Sequence, residues 1–532
     1  MTRAYNLLDE PLVHAAPCGM LSLPELLAVL ASDKVESFPA LRPHQAPSWH
    51  MFLVQLAALA LHEAGESAIP EGEENWGRLL RGLTNEFPDD EPWCLVVEDW
   101  TIPAFLQPPV PKSLTLKNEL GSADALDLLI TSKNHDLKQA VARDGAAEDW
   151  LFALVSLQTG EGYGGAGNQG IARMNGGSSS RPMLAIAPMA VASGQGMTPR
   201  PGAWFHRDVR VLIETRNAEL ERLSSEDYYR HTGGLCLTWL LPWPEGEQLQ
   251  IKDLDIWFIE VCRRVRLAQR DRRLAAFRGT SKATRINAKH LKGALSDPWA
   301  PVHKTENKSF TLASGNFNYH TLTDLLLGDW MVPLLARSAS FETSGDTLLL
   351  VAAALARGNS KTEGFKSRML PIAGRVSRVL GTKREELHQL AQDQVRAIAD
   401  FDKALGYALV LAVAGGERER IKTEHYTFAR DAHAHLDRFA DSIFFEHLWR
   451  RFEAQEQGAE TLEAEKRCFA HLLWARTQAI FEQFLPAMPC SGLFRPRAEA
   501  RARRALASRN LRKTYPKLFK PANKGKRVSH AA

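Results

Sequence analysis

The chain has 532 residues, of which 45% are hydrophobic and 24% charged, the balance of a folded globular protein and not of a fibrous, coiled-coil or wholly disordered one. Its longest apolar run, residues 348–356, is nine residues, far short of the roughly 20 that cross a bilayer, so no membrane partner is expected. The net charge of +4 hides two basic blocks: residues 263–292 carry a net +10, and residues 495–532 a net +12.

Charge gathered in blocks points to a polyanion such as nucleic acid. The competing reading is a solvated basic helix followed by a tail. The first 20 residues carry Asp9, Glu10 and two prolines and lack an apolar segment, so no secretory leader is expected. Six dispersed cysteines without a CxxC pair predict neither a disulfide framework nor a structural zinc site, which fits a reducing cytoplasm.

At roughly 150 residues per domain the length predicts two to four domains. Residues 49–62 place Trp49, Leu53, Leu56 and Ala60 at helical spacing. Residues 93–97 and 150–157 read as short strands or buried segments. Pro103, Pro108, Pro109 and Pro111 mark an irregular loop. Near residue 380 the pattern changes. Thr382 to Glu385 is a capping-box motif, predicting a helix to about Val413 that Gly415 and Gly416 stop. Further helices are expected over 426–454, 462–485 and 497–513. The fold class expected is therefore α+β: a mixed domain with long loops over 1–375, a four-helix bundle over 376–515, and a basic tail, expected to be disordered, over 516–532.

The most distinctive stretch is the glycine-rich run 160–170, which contains GxGxxG twice. A strand at 150–157 in front of it would suit a dinucleotide-binding fold. The context then fails. The chain runs on into Asn175-Gly-Gly-Ser and Pro182 where a helix should open, and no acid stands between Glu161 and Asp208 to hold a ribose. Without side chains, a glycine loop lets its backbone approach a partner closely, and Arg173 and Arg181 nearby would tolerate phosphate. A plain surface loop is the bland alternative.

Catalytic and metal signals are weak. His433 and His435 form an HxH pair, but positions i and i+2 of a helix diverge, so two ordinary surface histidines are expected. His62-Glu63 lacks the second histidine of HExxH, and neither a GxSxG elbow nor a P-loop occurs. No catalytic residue, metal or cofactor is predicted. The segment 357–364 is a polar, Gly-bounded stretch after the apolar run, either a turn or a protrusion able to enter a groove. Lys289 and Lys292 close the first basic block on a turn.

Several segments together resemble the CasA family, the large subunit of the type I-E Cascade, a CRISPR RNA-guided surveillance complex. They are Tyr5 to Pro11, the helix at 49–61, Phe105-Leu-Gln-Pro108, the glycine run 160–170, Lys292 to Pro301 and Gly358 to Gly364, in the family's order. The resemblance implies a non-enzymatic subunit beside the 5′ handle of the guide RNA. Such a subunit binds target double-stranded DNA, reads the protospacer-adjacent motif (PAM), promotes duplex opening and R-loop formation, and recruits a separate helicase-nuclease. It contacts the backbone, small and guide-handle-binding subunits.

Carried to this chain, the resemblance implies a minor-groove loop at Gly162, Tyr163, Gly164, Gly165, Ala166, Gly167 and Asn168. It implies a groove-entering lysine at Lys289 or Lys292, and a base-pair wedge at Asn359, Ser360 and Lys361. The family's wedge usually carries glutamine, and its opening motif usually has tryptophan where Leu12 stands. Charge alone adds Arg173, Arg501, Arg503, Arg504 and Arg509 as phosphate contacts. Two other functions are compatible with the residues: an enzyme holding a phosphorylated ligand at the glycine loop, and a stand-alone nucleic-acid-binding protein.

Overall fold

The structure is a computed structural model that describes residues 3–126, 145–190, 197–223, 228–271, 273–343, 345–358, 361–382 and 384–519. The chain divides into two compact units, Met1–Phe317 with Asp324–Gly381, and Asn318–Thr323 with Thr382–Ala532. The first mixes helices with small sheets and the second carries long helices, an α+β fold.

In the first unit, short antiparallel pairs join β1 (Arg3–Asn6) to β4 (Cys94–Val97), β2 (Val13–Ala15) to β3 (Gly19–Leu21), and β11 (Val302–His303) to β12 (Trp330–Met331). Parallel strands β7 (Leu235–Leu237) and β8 (Leu254–Ile259) form another pair. Two three-stranded antiparallel sheets carry more of the architecture. One orders β5 (Asn118–Leu120), β10 (Arg273–Gly279) and β9 (Arg264–Arg270). The other orders β14 (Lys361–Ala373), β13 (Thr347–Gly358) and β6 (Met183–Pro188). The apolar run 348–356 lies inside β13, the central strand, which explains why it lacks polar alternation.

Helices α1 (Leu23–Ala31), α2 (Ala46–Glu63), α3 (Glu73–Gly82), α4 (Ala147–Gly160) and α5 (Pro201–Leu223) pack around these sheets. The helix expected at 49–62 is α2, with Pro47 in its first turn. Both α2 and α4 are buried on nearly every side, as helices apolar all round must be. Trp49 meets Phe152 edge to face at 5.0 Å. The strand reading of 150–157 is wrong, because that segment lies within α4. A continuous apolar run is identical for a buried strand and a buried helix. Here Asp149 accepts the Ala146 backbone N–H at 2.8 Å and starts the helix.

The first basic block also departs from expectation. Much of it is core. Arg263, Arg264, Arg266 and Arg285 are all at most 5% exposed. Arg266 donates to the carbonyls of Ile102, Gln107 and Val97 at 2.9, 3.3 and 3.2 Å, and burial pulls its pKa down to about 9, still charged at neutrality. Arg285 donates to the carbonyls of Pro242, Thr238 and Leu241. A guanidinium offers five donors, so one side chain can satisfy the carbonyls of an irregular segment that no strand pairs. Buried glutamines do the same. Gln158 on α4 donates to the Leu106 and Arg263 carbonyls and accepts the backbone N–H of Cys262 and Arg263.

In the second unit, α8 (Arg384–Val413), α9 (Arg430–Gln457), α10 (Ala459–Phe484) and α11 (Arg495–Leu506) follow one another, after α6 (Tyr319–Leu327) and α7 (Gly374–Thr382) earlier in the chain. Helix α8 packs on α9, α10 and α11, and α9 packs on α10. Gly415 and Gly416 take φ of 68° and 81° and end α8. The cap expected at 382–385 includes Lys383, outside the described residues. The helix expected over 497–513 is broken in two. Ser508 accepts the Leu511 N–H at 3.2 Å and caps a new helix, α12 (Arg509–Thr514). Residues 520–532 of the expected tail also lie outside the described residues.

The two histidines of the HxH pair do diverge. His433 Nδ1 meets Asp402 of α8 at 2.5 Å, whereas His435 packs edge-on against Phe484 of α10. Asp402 raises His433 above its ordinary value of 6.5. A raised folded pKa adds stability that is complete below the unfolded value and is lost as pH climbs through the folded one. The destabilisation caused by Asp402→Asn, measured by denaturant unfolding, should therefore be largest below the ordinary histidine value of 6.5 and shrink as pH rises above it. A gap that widens with pH would contradict the assignment.

Candidate nucleic-acid interface

The glycine run leaves the C-terminal end of α4 as a closed, internally bonded loop. Gly162 N–H donates to Ser179 O at 3.0 Å, Tyr163 N–H to Gly177 O at 2.6 Å, and Gly164 N–H to Asn168 O at 2.9 Å. The returning chain is pinned too, with Ile171 N–H on Glu161 O at 3.0 Å. Several glycines are required by space, Gly162 and Gly167 among them. A Cβ on Gly162 would stand 2.4 Å from Ser179 O and 2.6 Å from Gly177 O. Gly167 has φ of 77°, and a Cβ there would meet Thr280 at 2.6 Å. Ser281 N–H donates to Gly167 O at 2.8 Å, tying the loop to the chain after β10. Arg278 adds a bond to Asn168 Oδ1 at 3.3 Å. The segment at the tip, Tyr163 to Ala166, faces solvent, with Tyr163 43% exposed.

Lys289 and Lys292 reach the same place from 120 residues further on. Lys289–Leu291 form a 3-10 turn that ends on Lys292 at φ 50°, and Lys292 N–H donates to Lys289 O at 3.2 Å. Both side chains are exposed. Gly293 lets this turn sit against the backbone of Met174 and Asn175, where a Cβ would lie 2.5 and 2.8 Å away. The result is a groove of about 660 Å³, walled on one side by Gly162, Tyr163 and Gly170 and on the other by Lys289 and Lys292. Lys282 also lines it, a cation that the sequence reading counted in the block but did not single out.

A buried ion pair joins the segments that carry the two walls. Arg181 is bidentate to Asp297, with Nε to Oδ2 at 2.6 Å and Nη2 to Oδ1 at 2.9 Å, and both side chains are at most 2% exposed. The third donor of Arg181 reaches Gln55 Oε1 of α2 at 3.1 Å. Burial alone would push the Asp297 carboxyl up, but Arg181 outweighs it and the group titrates below the usual carboxylate range. Asp297 follows the lysine turn and Arg181 follows the glycine run, so this one pair joins the two walls.

Arg173 does not contact phosphate from where it stands. It is 1% exposed, donates to the carbonyls of Ile256 and Phe258 at 3.3 and 3.2 Å, and lies 4.1 Å over the Phe258 ring. Its spacing from the glycine loop is the same whether it points out or in, so sequence position could not tell the two apart.

The hairpin of β13 and β14 rises beside the loop. Leu355 N–H donates to Ser180 Oγ at 2.7 Å, and Ser180 N–H to Leu355 O at 3.3 Å. Gly358 and Lys361 are the outermost paired positions of the two strands. Asn359 and Ser360, the expected wedge, lie outside the described residues. Lys361 opens β14 as a backbone position.

On the second unit, the four arginines expected at phosphate separate. Arg503 is engaged by Glu482 at 3.0 Å and Glu499 at 3.3 Å. Arg501 donates to Gly416 O at 3.0 Å. Arg501, Arg504 and Arg509 line a groove of about 830 Å³ with Arg418 and Arg512. Among the described residues, one group of metal-ligand type comes together, His62, Glu63 and Asp255. Arg216 already compensates Asp255, with Nη1 on Oδ1 at 3.0 Å, so this group is an ion pair with neighbours, a poor cation site.

No family model matches the chain. A search of curated proteins also finds no match. Solved structures do match along almost the whole length. CRISPR-associated protein Cse1 from Acidimicrobium ferrooxidans superposes with a TM-score of 0.59 at 15% identity, covering 95% of this chain and 98% of that one. Cse1 of Thermobifida fusca gives 0.58 at 13% identity, with 97% and 99% covered. CasA of Thermus thermophilus gives 0.57 at 15% identity, with 94% and 99% covered. From the first strand to the last helices, the chain has the fold of the CRISPR-associated Cse1, or CasA, proteins.

Proposed function

We propose that the chain is the non-catalytic large subunit of a type I-E Cascade and acts in the cytoplasm. Its first unit binds target double-stranded DNA and reads the PAM through the minor groove. It then promotes duplex opening and R-loop formation, and the subunit recruits the helicase-nuclease. The observation that carries this reading is the convergence of the glycine loop and the Lys289–Lys292 turn on one groove, in a chain with the Cse1 fold. The minor groove distinguishes mainly A·T from G·C, so a short, degenerate motif is what such a site can read. Backbone at Gly164 and Gly165 can enter a narrow groove that a side chain would fill, and Lys289 or Lys292 enters it alongside. Guide pairing supplies the remaining sequence specificity.

The partners in this reading are the guide RNA at its 5′ handle, the backbone, small and guide-handle-binding subunits, and the helicase-nuclease. Asn359, Ser360 and Lys361 form the wedge, and the arginine groove of the second unit takes phosphates. The test is duplex binding by guide-loaded complex with and without this subunit, across PAM variants at fixed salt. PAM-dependent affinity that appears only with the subunit supports the reading, and identical binding overturns it.

The lysines carry a prediction of their own. Lys289→Ala and Lys292→Ala should each reduce the slope of log affinity against log salt by about 1. Charge reversal at Arg504 and Arg509 should lower the slope too. Slopes unchanged from wild type would remove those residues from the DNA contacts.

A further inference from the structure

The acid at the root of the glycine loop has a role that the DNA-reading groups do not explain. Glu161 is the residue that ends α4, and it is 8% exposed. Its carboxylate lies between two arginines from distant segments. Oε2 is 3.1 Å from Arg263 Nη2, and Oε1 is 3.6 Å from Arg357 Nη1. The same Arg263 nitrogen donates to Gly162 O at 2.8 Å, so it grips the loop directly. Arg357 belongs to β13, one residue before Gly358, the last paired position of that strand. Ser179, whose carbonyl receives the Gly162 N–H, also reaches Arg357 O with its hydroxyl at 3.4 Å. The loop and the hairpin stem thus meet at one buried carboxylate.

We infer that Glu161 is a positioning residue that latches the glycine loop to the stem of the β13–β14 hairpin, so that seating the loop on DNA is coupled to base-pair opening. The inference rests on the DNA-reading function proposed above. Burial makes the linkage stiff. Arg263 is 2% exposed and cannot exchange Glu161 for water without moving the loop carbonyl it also holds. A neutral side chain at 161 keeps the loop's backbone bonds, which come from Ser179, Gly177 and Asn168, and releases Arg357. Contact and opening should therefore separate.

The experiment uses guide-loaded complex carrying wild-type, Glu161→Gln, Arg357→Gln or Arg357→Lys subunit. Two quantities are read: the affinity ratio between matched and altered PAM duplexes, and the opening rate of the first base pair, reported by 2-aminopurine fluorescence. Glu161→Gln and Arg357→Gln should hold the affinity ratio within about twofold while opening slows about tenfold, and Arg357→Lys should recover part of the rate. Unchanged opening in both Gln variants overturns the latch. So does a loss of the affinity ratio as large as the loss of opening, which is what mere damage to the fold would give. If Glu161→Gln fails to fold, Arg357→Gln at the less buried end decides alone. A wild-type complex that does not discriminate PAM duplexes overturns the function reading, a result separate from any variant's.

Discussion

Asp297→Ala is expected to destabilise the first unit by about 3–5 kcal/mol, the cost of leaving a buried charge without its partner. Arg181 would remain 2% exposed between Gln55 and Trp299, with two of its donors facing nothing. The backbone N–H of Trp299, which donates to Asp297 Oδ1 at 3.0 Å, would be orphaned as well. Denaturant unfolding of the subunit measures the loss. Removing both charges, with Arg181→Met and Asp297→Leu together, should recover a large part of it, because the desolvation penalty leaves with the pair. A loss under about 1 kcal/mol for Asp297→Ala would place this pair with exposed ion pairs, contrary to its burial. Since the pair joins the walls of the groove, DNA binding should fall with it.

Gly162→Ala should separate binding from stability in the opposite sense. The new Cβ would stand 2.4 and 2.6 Å from two carbonyl oxygens of the 177–179 segment, so backbone has to move. Overpacking of this kind costs about 1–3 kcal/mol. If that strain is relieved by shifting the loop, PAM-dependent affinity drops by about five- to 150-fold while global unfolding changes little. Gly165→Ala is the informative comparison. Its φ of 109° strains any side chain, but a Cβ there meets nothing within 4 Å. A Gly162→Ala subunit with wild-type affinity would mean the loop backbone does not touch the duplex.

What could be read from the sequence follows from what each pattern encodes. Helix α2 was legible because an apolar stretch of its length outgrows a strand, and the long helices of the second unit because a 3.6-residue period over many turns has one interpretation. Helix α4 was not, since a run such as Trp150 to Leu157 has no polar face to give its period away. The block at 263–292 misled in a different way. Charge counts carry no depth, and Arg263, Arg266 and Arg285 spend theirs on buried carbonyls and on Glu161. The exposed remainder, including Lys282, Lys289 and Lys292, is the part that can meet a polyanion.

The glycine loop was visible as composition, yet its partner wall was not. Gly162 and Lys289 are brought together by the Arg181–Asp297 pair and by Gly293 against Met174, contacts between segments more than 100 residues apart. No local pattern reports such a contact. The latch at Glu161 was invisible for the same reason, because Arg263 and Arg357 flank it only in the folded chain.

The most direct measurement changes the DNA and leaves the protein alone. Inosine in place of guanine at PAM positions deletes the 2-amino group from the minor groove and leaves the major-groove edge intact, whereas 7-deazaguanine alters only the major groove. Guide-loaded complex containing the wild-type subunit should change affinity by about tenfold on at least one inosine duplex, and by less than about twofold on every 7-deazaguanine duplex. Sensitivity to 7-deazaguanine with indifference to inosine would put the readout in the major groove and contradict the account.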